Sequence, residues 1–110
     1  MDMGKVLMTA TAWIAFWFVV ATLVPLLIAG VGTYGLEIVE DLPEVQTILV
    51  PIGAGSGICG TSIVAKSINP QIRIIGVQAE KAPSVYRSWR AQRLIDTPSC
   101  DTFAEGLATR

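Results

Sequence analysis

Histidine is absent from these 110 residues, which removes the commonest general base and the commonest metal ligand. Cysteine is scarce as well. Cys59 and Cys100 stand 41 positions apart, forming neither a CxxC pair nor a zinc-ligand spacing. Two isolated thiols without a secreted-scaffold pattern suit a reducing compartment. Neither sign of charge is in excess, with eight basic against nine acidic residues and a net charge of −1. A charge that small draws neither nucleic acid nor anionic lipid, so no nucleic-acid partner is expected. The largest absence is local: from Val6 to Leu36, 31 consecutive positions carry no charged residue. A chain of this length has room for one domain with a modest core.

The uncharged stretch is also strongly apolar. Ala12 to Gly30 reads AWIAFWFVVATLVPLLIAG, and ten of those residues are Leu, Ile, Val or Phe. Such a run reaches across a hydrocarbon core of ~30 Å, and each of the ten favours insertion by roughly 0.3–0.6 kcal/mol. Thr22 and Pro25 subtract from that sum. Residues 8–30 are therefore expected to form an apolar helix in contact with a membrane. Lys5 before the run and Glu37, Glu40 and Asp41 after it place the N-terminus on the cytoplasmic side, on the strength of a single lysine. A secretory signal is a rival reading, although Met-Asp-Met-Gly-Lys is a poor basic start and no clear Ala-x-Ala site follows. A buried core helix is another.

After Leu36 the pattern becomes that of an α/β protein. Gly30-Val31-Gly32-Thr33-Tyr34-Gly35 predicts a turn-rich segment, followed by a short helix capped by Thr33 and running to Glu40. Asp41-Leu42-Pro43 stops it, because the residue before proline is pushed out of helical geometry. Thr47 to Ile52 is a continuous apolar strand, as expected for a parallel sheet buried on both faces. Ile58 to Ile68 suits a crossover helix that Asn69-Pro70 ends. Residues 72–79 form a second strand, so residues 47–79 make one βαβ unit. Pro83 sits well in the first turn of a further helix reaching about Leu94. The expected fold is thus a partial three-layer parallel-sheet domain, one βαβ unit with flanking helices, preceded by an apolar N-terminal helix. Residues 1–30 form the apolar part and 31–110 the α/β part.

The chemistry concentrates between strand and helix. In Ile48-Leu49-Val50-Pro51-Ile52-Gly53-Ala54-Gly55-Ser56-Gly57-Ile58-Cys59-Gly60 an apolar run ends in a glycine-dense loop. Strand, small-residue loop and helix together build an anion cradle from backbone N–H groups and the positive end of the helix dipole. The loop lacks GxxxxGK[ST], so nucleoside triphosphate chemistry is not indicated. It is not GxGxxG either, since the third glycine comes one position early, and Glu80 lies 27 positions after Gly53 where a dinucleotide site wants an acid ~20 on. A small phosphate ester held by backbone amides, with Ser56 adding its hydroxyl, is the better reading. A glycine-rich turn that carries no ligand is the alternative.

These residues also resemble a known family. From about Pro25 to Arg110 the chain is similar to the middle of threonine dehydratases (threonine ammonia-lyases). These belong to the tryptophan-synthase-β-like, fold-type II group of pyridoxal-phosphate enzymes, as does serine racemase. The stretches that carry the resemblance are LIAGVGTYGLEIVEDLP, ILVPIGAGSGICGTSIVAKSINP, IRIIGVQAEKAPSVYRSWR and TFAEGLATR. It implies deamination of L-threonine to 2-oxobutanoate and ammonia, with L-serine as a second substrate, in a cytoplasmic, oligomeric enzyme. It assigns Gly53, Ala54, Gly55, Ser56 and Gly57 to the phosphate of pyridoxal 5'-phosphate. Ala54 departs from the family's run of glycines, and its methyl group costs stability if that position needs positive φ.

The resemblance also shows what is missing. The family's Schiff-base lysine in a Ser-Phe-Lys context, its asparagine beside the phenolic oxygen and its serine or threonine at the pyridine nitrogen fall outside the matching stretch. Of the three lysines, Lys5 precedes the apolar run, Lys66 belongs to a solvated helix face and Lys81 follows the second strand. None is expected to anchor the cofactor, so no catalytic residue is assigned. Glu80 matches the acid of a cation site in relatives similar to serine racemase, but Tyr86 stands where an aspartate is expected, and no metal site is assigned. Arg87, Arg90 and Arg93 read as a solvated stripe, Tyr86 and Trp89 as filling an apolar interface, and Cys59 as a small packing residue. Residues 1–24 do not follow the family pattern. The expectation is therefore a fragment of a dehydratase from a truncated, rearranged or frame-shifted gene, inactive alone and poorly soluble. The alternative is a small membrane-anchored module that binds a phosphate ester or a protein partner.

Overall fold

A computed structural model of the chain describes residues 3–110, with the backbone alone at residues 3–8 and 10. Helix α1 runs Met3–Asp41, followed by strand β1 at Thr47–Pro51, helix α2 at Ser56–Ile68, strand β2 at Arg73–Val77 and helix α3 at Ser84–Ala91. A 3₁₀ turn at Glu105–Leu107 closes the chain. β1 and β2 pair in parallel, with Thr47 opposite Arg73 and Pro51 opposite Val77. The predicted βαβ unit is present, with strands slightly shorter than the expected 47–52 and 72–79.

The predicted turn at Gly30–Gly35 does not form. α1 passes through it without a break, and Thr33 donates its hydroxyl back to the Gly30 carbonyl at 2.7 Å instead of capping a new helix. Glycine in a helix costs about 1 kcal/mol relative to alanine, and the packing against α2 explains why it is here. A Cβ on Gly32 would lie 3.1 Å from Val64 Cγ2, and one on Gly35 3.1 Å from the Cα of Thr61. From the other side, a Cβ on Gly60 would meet the Ile28 carbonyl oxygen at 2.7 Å and the Gly32 nitrogen at 2.8 Å. These glycines let two helix backbones touch. Beside them the fully buried Thr61 donates to the Tyr34 hydroxyl at 2.7 Å, so the seam leaves that hydroxyl satisfied.

The core is small: Val39, Ile48, Val50, Ala65 and Ile72, with Ile38, Val45, Ile58 and Ile74 packed around them. Burial along β1 alternates, against the expectation of a sheet covered on both sides. Ile48 and Val50 face α2, whereas Leu49 is 65 % exposed and its neighbour Ile75 41 %. Among the described residues nothing packs on that second face. α3 stops at Ala91, short of the predicted Leu94. Gln92 turns left-handed there (φ 53°), and Arg93 N–H closes on the Ser88 carbonyl at 3.2 Å. A left-handed residue just past the last turn is a common way to end a helix. The N-terminal half of α1 extends away from all this, giving the molecule a length of 63 Å against widths of 32 and 25 Å.

Candidate functional site

The glycine loop lies at the carboxyl edge of the parallel sheet, where ligands of open α/β sheets bind. β1 continues to Ile52, whose N–H donates to the Val77 carbonyl at 2.8 Å. The chain then turns through Gly53 and Ala54 and enters α2 from Gly55. Gly55 has φ 102° and open space where a Cβ would sit, so glycine is required there by backbone conformation rather than by crowding. Ala54 does not have positive φ. Its methyl group therefore carries no backbone strain, and the expected cost of this departure from a glycine run does not arise.

The start of α2 is uncapped by any side chain. Cys59 N–H makes the first helical bond, to the Gly55 carbonyl at 3.1 Å. Among the described residues the amides of Ser56, Gly57 and Ile58 meet no acceptor, as expected for the first turn of a helix, and no partner is seen for the Ser56 hydroxyl. Three convergent N–H groups, a hydroxyl and the positive end of a 13-residue helix together suit a dianionic phosphate.

The other side of the loop is held by the C-terminal segment. Thr109 donates its hydroxyl to the Gly53 carbonyl at 3.0 Å, and the nearly buried Ser84 bonds the Thr109 carbonyl at 3.3 Å. A Cβ on Gly53 would come within 2.9 Å of the Gly106 carbonyl oxygen, so the 3₁₀ turn packs directly against this glycine. Sequence reading missed Thr109 and Ser84, and no signal marks them: the bond joins residues 56 positions apart. Gln78 was missed too. It follows β2 at the same sheet edge, accepts the Tyr86 N–H at 2.9 Å and buries its Nε2 without an acceptor among the described residues.

The remaining candidates lie apart from the loop. Lys66 donates to the Pro70 carbonyl at 2.9 Å, ten residues along α2 from Ser56 and so about 15 Å away. Lys81 pairs with Asp101 at 3.2 Å, both side chains largely in solvent. The Lys5 side chain lies outside the described residues. Glu80 is exposed, and no group of three metal-ligating side chains occurs among the described residues. Arg87, Arg90 and Arg93 are solvated, and Cys59 is exposed rather than packed. Tyr86 and Trp89, expected to fill an interface, are 55 % and 66 % exposed, since no element among the described residues covers them.

The chain is similar to known proteins over most of its length. Residues 7–110 match the family described as "Pyridoxal-phosphate dependent enzyme". The L-threonine ammonia-lyase of Thermotoga maritima is 46 % identical over 86 residues, covering 78 % of this chain and 21 % of that protein. The catabolic L-threonine dehydratase of Escherichia coli K12 is 45 % identical over 82 residues, covering 74 % of this chain and 25 % of that protein. Among solved structures, maize serine racemase superposes with a TM-score of 0.72 at 43 % identity, over 74 % of this chain and 26 % of that one. The chain thus spans about a fifth to a quarter of the length of these relatives. The family match takes in the whole apolar run, residues 8–30, while the pairwise matches stop short of the full chain. With that match extending over nearly every residue, the chain belongs to the pyridoxal-phosphate dependent enzymes.

Proposed function

We propose that this chain is the phosphate-holding segment of a threonine or serine dehydratase, and that it does not deaminate an amino acid by itself. The observation that carries the reading is the set of unpaired amides at Ser56, Gly57 and Ile58, presented behind the positive-φ Gly55 at the sheet's carboxyl edge. In the full-length enzyme this segment would serve the deamination of L-threonine to 2-oxobutanoate and ammonia.

The residues present fit one end of the cofactor. Gly53 to Gly57 and the Ser56 hydroxyl would hold the phosphate, and the apolar flanks Ile52 and Ile58 limit water beside it. The cofactor, when bound, supplies the electron sink for chemistry at the amino acid's α-carbon. That chemistry needs a lysine to anchor the aldehyde, and neither Lys66 nor Lys81 approaches the loop. The segment can therefore orient the phosphate but contributes no proton-transfer group to the reacting carbon.

Amide NMR of the purified full chain tests this. Inorganic phosphate and pyridoxal phosphate should shift the Gly55–Ile58 amides, and pyridoxal, which lacks the phosphate, should not. No visible absorbance of a lysine-linked cofactor should appear, and L-threonine should yield no 2-oxo acid. Equal binding of pyridoxal would overturn the phosphate assignment. An absorbance lost in Lys66→Ala or Lys81→Ala would overturn the claim that no lysine anchors the cofactor.

A further inference from the structure

We infer that the N-terminal half of α1 inserts into a lipid bilayer, with Val6–Leu27 crossing the hydrocarbon. The inference stands on the exposed surface of α1 and is independent of the phosphate loop. Its occupant follows from shape. At about 100° per residue, Trp13, Ile14, Phe18, Val19 and Phe16 point round the whole circumference of the helix, and each is at least half exposed. A protein groove or a second copy of this chain covers one stripe of a helix. A bilayer covers every side of a helix at once, which suits a helix that is apolar on every side.

Length and boundaries agree. Residues 6–27 are 22 positions, about 33 Å of helix against a hydrocarbon core of ~30 Å. No charged residue falls among them; Lys5 stands just outside one end, and Glu37, Glu40 and Asp41 lie beyond the other. The protein's own packing starts near the end of the span: Pro25, in its last turn, and Ile28, just past it, line the groove between α1 and α2. Within the candidate span Thr11–Asp41 the most apolar 18-residue window has a mean hydropathy of 2.5 and no buried residue, unlike the core helix of a soluble domain. Of the threonines in the span, Thr22 donates its hydroxyl to the Phe18 carbonyl at 2.8 Å. Hydroxyls bonded back to the helix in this way are compatible with lipid.

The test uses the full chain mixed with phosphatidylcholine vesicles. It should float with the vesicles and resist extraction at alkaline pH. In a Trp89→Phe background, Trp13 and Trp17 should be quenched by lipids brominated on their acyl chains. Phe18→Arg, which alters a 73 % exposed side chain, should cut the floated fraction at least tenfold, while Leu94→Arg outside the span should leave it unchanged. Circular dichroism in detergent shows whether both variants keep the parent's helix content. A chain that stays in the aqueous phase, as monomer or as a defined oligomer, overturns the inference. So does a Phe18→Arg variant that floats as well as the parent, or removal of the parent by alkaline extraction.

Discussion

The two faces of the β1–β2 sheet both carry large aliphatic side chains, the outer one beside Thr47 and Arg73, and have opposite surroundings. On one, Ile48, Val50, Ile52, Ile72 and Ile74 meet α2 and are buried or half-buried; on the other, Leu49, Ile75 and Val77 are 41–65 % exposed. For these aliphatic residues packing partners make the difference. The covered face fixes α2 against the sheet and so aims its N-terminal amides past the carboxyl edge. The bare face has the composition of a surface meant to be covered, in a chain that spans about a quarter of its relatives' length. One side of the sheet therefore carries the fold and positions the glycine loop, and the other carries an aggregation hazard.

This contrast can be broken most strongly at the seam that backs the covered face. Gly60→Val forces a side chain into the Ile28 carbonyl and the Gly32 backbone. Backbone cannot yield as a flexible side chain does, so the expected loss is about 3 kcal/mol, at the upper end for overpacking. Chemical denaturation followed by circular dichroism reads it. Next comes Val50→Ala. Val50 is 2 % exposed, and removing its two methyl groups is expected to cost about 2 kcal/mol through lost burial and the cavity left behind. If either variant matched the parent, the covered face would not be the source of stability.

The comparison also explains what could be read in advance. The β1–loop–α2–β2 unit was legible because Pro51, Gly53–Gly57 and Asn69-Pro70 punctuate apolar runs of the right lengths. The glycine loop between strand and helix was legible for the same reason. Gly30, Gly32 and Gly35 were misread as a turn, since sequence alone does not separate a glycine that bends a chain from one that admits a neighbouring helix; Gly60, 28 positions from Gly32, decides it. Burial of both sheet faces was predicted from Ile48-Leu49-Val50, a pattern that states what a strand can bury, not what the chain supplies to bury it. Thr109 was invisible, its bond to Gly53 resting on tertiary proximity alone.

That bond gives a smaller effect with a sharper address. Thr109→Val keeps the shape of the side chain and removes the donor to the Gly53 carbonyl. The expected cost is about 1 kcal/mol, and Thr109→Ser should restore most of it. The peptide unit is planar and trans, so the Gly53 carbonyl and the Ala54 N–H point in opposite directions, and holding one orients the other. The Val variant should therefore shift the Gly53 carbonyl carbon and the Ala54 amide in NMR spectra without ligand. Unchanged resonances would show that the C-terminal segment does not hold the loop.

The smallest effect belongs to the bare face. Leu49→Thr exchanges a 65 % exposed leucine for a β-branched residue suited to a strand. Little apolar area leaves a packed environment, so stability should change by no more than about 0.5 kcal/mol. Solubility should respond differently, because Leu49 lies opposite Ile75 in register and the two form the centre of the uncovered patch. Light scattering at rising concentration in detergent should show a later onset of aggregation for Leu49→Thr than for the parent. A loss of stability approaching that of Val50→Ala would mean that Leu49 is buried in solution, and the two faces would no longer differ. A neutral effect on stability with delayed aggregation would locate the cost of the bare face in association between molecules rather than in the fold.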